Sequence, residues 1–127
     1  MDAGDRSTKI LVVDDDPLLA DSVGEILRRV GYVVAVEYSG TDAVSSARFF
    51  RPHVLLADIV MPDLNGVEAA IRIRGFLPSC RALLRTGLPE GVRLWETARA
   101  RGFAFEMLPK PASPLVMVET IAQLASE

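Results

Sequence analysis

Val54-Leu55-Leu56-Ala57-Asp58-Ile59-Val60-Met61-Pro62-Asp63-Leu64-Asn65-Gly66 is apolar, then acidic, then apolar again, and breaks at Pro62 and Gly66. Val54–Ala57 is a short run of the kind buried on both faces of a parallel sheet. An acid that interrupts such a run is expensive to bury without a partner, so Asp58 stands out as functional. Four more runs read as strands: Ile10–Val13, Tyr32–Val36, Ala82–Leu84 and Phe105–Leu108.

Helical patterns fill the intervals. Pro17 suits a first helical position with Asp16 as its cap, and Leu19, Val23, Ile26, Leu27 and Val30 recur at helical spacing up to Gly31. A second helix uses Ala43, Val44, Ala47 and Phe50, and Pro52 closes it. A third covers Gly66–Phe76 and a fourth Gly91–Arg101. A fifth opens at Ser113-Pro114 and uses Leu115, Val118, Ile121 and Ala125. Strict βα alternation with short links predicts an α/β fold, a doubly wound five-stranded parallel sheet with helices on both faces. Residues 1–8 are expected to be loose, with one domain over 9–127.

The site of such a fold lies at the carboxyl ends of its strands. Strand one runs into Asp14-Asp15-Asp16, strand three into Asp58, strand four ends near Thr86, and strand five at Lys110. With sheet order 2-1-3-4-5, strands one and three are neighbours and their aspartates meet. Close carboxylates repel one another unless a cation joins them. Oxygen-only ligands suit a hard cation such as Mg²⁺, which adds a phosphate oxygen to one or two carboxylates. A carboxylate beside that ion can attack phosphorus and become an aspartyl phosphate. Lys110 offers a point charge to such a group, and Thr86 a hydroxyl. The aspartate run alone also reads as a helix start; Asp58 tips Asp14 and Asp15 toward metal binding and leaves Asp16 as the cap.

Ile10-Leu-Val-Val-Asp-Asp-Asp-Pro17, Asp58-Ile-Val-Met-Pro-Asp-Leu-Asn-Gly66, Thr86-Gly87 and Lys110-Pro111 closely resemble the receiver domain of two-component response regulators over about Lys9 to Leu124. The resemblance implies a flavodoxin-like, chemotaxis-receiver-like fold. It implies that Asp58 accepts a phosphoryl group from a histidine kinase or a histidine phosphotransfer protein. Asp14, Asp15, Asp58 and the backbone carbonyl of Val60 would hold Mg²⁺. Thr86 would bind a phosphoryl oxygen and switch, Lys110 would pair with the phosphoryl group, and the Lys110–Pro111 bond is expected to be cis. The chain would then be a signalling switch rather than an enzyme acting on an outside substrate. The face formed by helix four, strand five and helix five would control an unknown downstream protein or linked domain.

Departures from the family pattern fall near the switch. Met107 stands where an aromatic is usual, with Phe105 as a partial substitute, and Ala112 follows Lys110-Pro111. Val60 and Leu88 occupy the positions that flank the water path to the phosphoryl group in the family, and neither can hydrogen-bond a water. Slow self-dephosphorylation is therefore expected. A degenerate receiver that binds its partner without phosphate is the competing reading, supported by Met107 and Ala112. A phosphatase of the haloacid-dehalogenase type is disfavoured, because Asp14-Asp15-Asp16-Pro17 lacks that family's following residues and no cap insertion is present.

Composition narrows the classes further. The chain has 127 residues, half of them apolar and 24% charged, enough for one core. A net charge of −3 argues against direct nucleic-acid binding. A single cysteine and a single histidine exclude a disulfide framework and multi-histidine zinc chemistry. No apolar run approaches the roughly 20 residues of a membrane span, and the polar start carries no signal-peptide pattern, so a cytoplasmic location is expected.

The remaining residues read less sharply. His53 reads as structural, Cys80 as an inert loop or strand-edge thiol, and Asp63 as a loop residue rather than a ligand. The arginines of helices three and four read as a solvated face. Trp95 reads either as core with Val92 and Ala98 or as a partner contact. Leu18 and Ser22, early in helix one, are candidates to meet the phosphodonor. Helix five begins Leu115-Val116-Met117-Val118, apolar nearly all round, which fits a wide core stripe or an interface such as a homodimer.

Overall fold

The structure, a computed structural model, describes residues 7–127; the segment expected to be loose lies almost wholly outside the described residues. The order is β1 (Lys9–Val13), α1 (Pro17–Val30), β2 (Val33–Glu37), α2 (Gly40–Phe50), β3 (Val54–Asp58), α3 (Gly66–Phe76), β4 (Arg81–Thr86), α4 (Pro89–Ala100), β5 (Glu106–Pro109) and α5 (Pro114–Ala125). All strand pairs are parallel, in sheet order β2-β1-β3-β4-β5. No helix among the described residues is long and apolar enough to cross a membrane.

The apolar runs are explained by burial on both sides. Successive strand side chains leave opposite faces of the sheet. Leu11, Val13, Leu55, Ala57 and Leu84 join Ala43 and Ala47 of α2, Val67 and Ile73 of α3, and Ala98 of α4. Ile10, Val12, Val54, Leu56 and Leu83 join Ala20 and Leu27 of α1 and Met117, Ile121 and Leu124 of α5. Leu27, Ile73 and Ile121 are fully buried, each contributing roughly 1.5–3 kcal/mol over exposure.

Caps set most of the helix bounds. The Asp16 carboxylate accepts from the backbone N–H of Leu18 and of Leu19, and α1 ends at Gly31 with φ 120°. Ser39, Asn65 and Ser113 cap α2, α3 and α5. Some expected bounds shift. Helix α4 starts at Pro89 rather than Gly91, because proline suits the first turn. Strand β2 begins at Val33, one residue after the buried Tyr32, whose N–H is taken by the Leu27 carbonyl at the end of α1. Strand β4 extends through Arg85 to Thr86, pairing with Asp58 and β5 beyond the expected Leu84. Phe105 lies outside β5, buried and stacked on Phe103 at 6.0 Å between ring centroids.

Candidate functional site

The carboxyl edge of the sheet collects the acids. Asp14 follows β1 and is 5% exposed. One of its carboxylate oxygens accepts the Asp16 N–H at 3.0 Å, and the other accepts Lys110 Nζ at 3.0 Å. Asp58 closes β3, and its carboxylate lies 3.5 Å from the same Nζ. Asp15 is exposed beside them. One carboxylate oxygen from each of Asp14, Asp15 and Asp58 lies within 4.8 Å of the others.

Electrostatics shapes this trio. Burial pushes the Asp58 carboxyl above its ordinary range; Lys110 pulls it back, and Asp14 and Asp15 push it further up. Bringing acids together this way is costly unless cations offset them. Lys110 does so for two of the three carboxylates. Asp15 has no ion-pair partner among the described residues, and the all-oxygen donor set fits a hard divalent cation such as Mg²⁺.

Thr86 ends β4 and is 3% exposed. Its hydroxyl Oγ1 accepts the Leu88 N–H at 3.1 Å and lies 3.3 Å from the Leu88 carbonyl, to which it donates. The Lys110 N–H donates to the Thr86 carbonyl at 2.9 Å, so the ends of β4 and β5 are tied together. The Lys110–Pro111 bond is cis, as expected. Gly91, in the first turn of α4, faces the Thr86 side chain so closely that a Cβ there would collide with Oγ1 and Cβ of Thr86. Only glycine lets α4 sit against the threonine.

The other singled-out residues are spread around this edge. Val60 lies half-buried two residues beyond Asp58, in the connection to α3, and Leu88 is exposed at the start of α4. Met107 pairs with Leu84 and packs, half-buried, on the α2–α4 side of the sheet, as does the more deeply buried Phe105. Leu18 and Ser22 are exposed on α1; Ser22 borders a groove shared with Lys110 and Pro111. Trp95 is half-buried, and its indole N–H donates to the Phe105 carbonyl at 2.8 Å. Leu115 and Val116 of α5 face outward, while Met117 is buried.

Three residues prove more specific than the sequence showed. Cys80 lies just before β4, as expected, but is buried there, and burial pushes its thiol up to about 11, which makes it inert. The Asp63 carboxylate accepts from the N–H of Gly40 and of Thr41 at the start of α2, and hydrogen bonds from the Thr41 side chain and then its backbone hold it well below the usual carboxylate range. Arg85 lies one residue beyond the expected end of the fourth strand at Leu84, and a charge inside an apolar run is the signal the sequence offers for it. It is the direct register partner of Asp58.

The sequence profile of the response regulator receiver domain matches residues 10–122. The chain is 33% identical to the transcriptional regulatory protein PrrA of Mycobacterium tuberculosis, over 98% of this chain and 51% of PrrA. It is 26% identical to the chemotaxis protein CheY of Thermotoga maritima, over 92% of this chain and 97% of CheY. The chain thus spans about half or less of the curated transcriptional regulators it matches, and nearly all of CheY. The crystal structure of a CheY-like receiver domain protein from Methanospirillum hungatei superposes with TM-score 0.83 at 25% identity, covering 94% of each chain. Five parallel strands in the order 2-1-3-4-5, an acidic edge crossed by Lys110 and a family profile over nearly the whole chain agree: this chain belongs to the response regulator receiver domain family.

Proposed function

We propose that the chain is a phosphorylation-controlled switch in which Asp58 takes a phosphoryl group from a phosphohistidine donor, a histidine kinase or a histidine phosphotransfer protein. The observation that carries this reading is the acidic trio with Lys110 Nζ placed on two of its carboxylates, at 3.0 and 3.5 Å.

The chemistry follows from the residues. Asp58 Oδ attacks phosphorus, the bond from phosphorus to the donor imidazole nitrogen breaks, and the imidazole leaves with its electron pair. The nucleophile is the ionised form of the Asp58 carboxyl, which Lys110 favours against the burial that opposes it. Asp14, Asp15, Asp58 and the Val60 carbonyl would hold Mg²⁺, which supplies charge neutralisation between the carboxylates and the incoming phosphoryl oxygens. Lys110 moves its charge from the carboxylates toward the phosphoryl group. The Thr86 hydroxyl leaves its local bonds with Leu88 to donate to a phosphoryl oxygen. Because Lys110 and Thr86 are joined through the backbone, these shifts bias one two-state element: α4, β5 and α5. Met107 of β5, the register partner of Leu84, stands where an aromatic is usual in the family and would take the switch role beside Thr86. Leu18 and Ser22 contact the donor; Trp95 and the exposed start of α5 serve the downstream partner or a second copy.

The test is intact mass after incubation with acetyl phosphate, with and without Mg²⁺, on the wild type and on Asp58→Asn. One phosphoryl group that needs both Mg²⁺ and Asp58 supports the switch. A folded protein that takes no label, beside a receiver that does, supports a phosphate-independent binding module instead.

A further inference from the structure

Lys110 is not the sole cation at the acidic edge. Asp58 and Arg85 are Cα partners on adjacent parallel strands, so both side chains leave the sheet on the α1/α5 side. Arg85 is half-buried, and its Nε is buried with no hydrogen-bond partner. The side chain enters no ion pair among the described residues. It lies along the floor of a groove of about 440 Å³ between α1 and α5, bordered by Leu19, Val23, Pro111 and Met117. Burial opposes its charge, while Asp14 and Asp58 favour it; an arginine remains cationic at neutral pH. A half-buried guanidinium with no ion pair and an unpartnered Nε is costly to keep unless nearby charge answers its field. The carboxylates of Asp14 and Asp58 are that charge.

We propose that Arg85 is a fixed counter-ion of Asp14 and Asp58 within the Asp14–Asp15–Asp58 trio, a positioning residue that weakens divalent-cation binding there without being a ligand. The proposal rests on the reading that this trio holds Mg²⁺. A positive charge in a partly desolvated site repels a dication twice as strongly as a monocation. Cation affinity at the resting site is thereby kept low, and it rises once a phosphoryl group adds negative charge. Arg85 does this by field alone, so lysine can replace it and an uncharged side chain cannot.

The experiment is an NMR titration with MgCl₂ at constant ionic strength, following the backbone amides of Asp15 and Ile59. It compares the wild type with Arg85→Met, Arg85→Lys and Asp15→Asn. The groove is apolar, so methionine fits; Arg85→Gln replaces it if that variant does not fold. The expected result is about tenfold tighter Mg²⁺ binding in Arg85→Met and affinity within about twofold of wild type in Arg85→Lys. Unchanged or weaker binding in a folded Arg85→Met overturns the proposal. Equal tightening in the methionine and lysine variants also overturns it, since packing rather than charge would then be responsible. A wild type that binds no Mg²⁺ through Asp15 overturns the metal reading itself, and a wild type that binds it while Arg85 variants do not differ overturns only the inference.

Discussion

Lys110 Nζ reaches across 96 residues of sequence to lie 3.0 Å from the Asp14 carboxylate, which is itself 5% exposed. A lysine at the end of the last strand thus neutralises an acid at the end of the first. Breaking a buried pair leaves the remaining charge desolvated.

Lys110→Met is therefore expected to destabilise the fold in chelator by about 1–3 kcal/mol, a value kept below that of a deeply buried pair because the lysine is partly exposed. Added Mg²⁺ should restore more stability to this variant than it adds to the wild type, by mass action on the native state. Urea unfolding with and without Mg²⁺ checks both. A variant as stable as wild type in chelator would show that Lys110 contributes little to holding the acids together.

Asp58 carries the opposite sign. Its carboxyl is raised above 3.8 in the fold, chiefly by burial. A group raised in the native state favours folding while protonated, below its unfolded value, and that contribution is lost as pH rises through the folded value. Once ionised, the buried Asp58 carboxylate is a liability to the fold. Asp58→Asn should raise the urea midpoint at pH 7 without Mg²⁺, and the advantage should shrink as pH falls toward 4. A gain that does not depend on pH would assign it to something other than the buried charge.

Gly91 has no room for a side chain against Thr86. Gly91→Ala should cost about 1–3 kcal/mol, as overpacking does, even though alanine is the better helix former. It should also displace the Thr86 hydroxyl from Leu88, visible as shifts of the Leu88 amide by NMR. A stabilised variant would mean that α4 moves away freely.

Val60 and Leu88, two residues after Asp58 and after Thr86, hold the positions that the family resemblance implies flank the path of an attacking water, and neither side chain can hydrogen-bond one. Val60→Asn with Leu88→Glu should shorten the phosphoryl lifetime by about tenfold, equivalent to ~1.4 kcal/mol off the barrier. Decay followed by intact mass after removal of the phosphodonor measures it. An unchanged or longer lifetime refutes the assignment of these positions.

The strands, the helix alternation and the acidic edge were legible because they are local. Val54–Ala57 must be buried on both faces, Asp16 and Ser113 precede prolines at first helical turns, and Asp14, Asp15, Asp58 and Lys110 end their runs. Asp63 was not legible in the same way, since its partners Gly40 and Thr41 lie 23 and 22 residues away and the residue alone resembles any loop acid.

Sequence by itself therefore determined which elements form and which residue types meet at the sheet's carboxyl edge, since hydrophobic period, caps and proline act over a few residues. Tertiary structure alone decided the rest. Strand register set Arg85 beside Asp58, the path of β5 brought Lys110 onto Asp14, and the docking of α4 left no space between Gly91 and Thr86. Those outcomes depend on distances between segments far apart in the chain. They arise only when both faces of the sheet are packed at once.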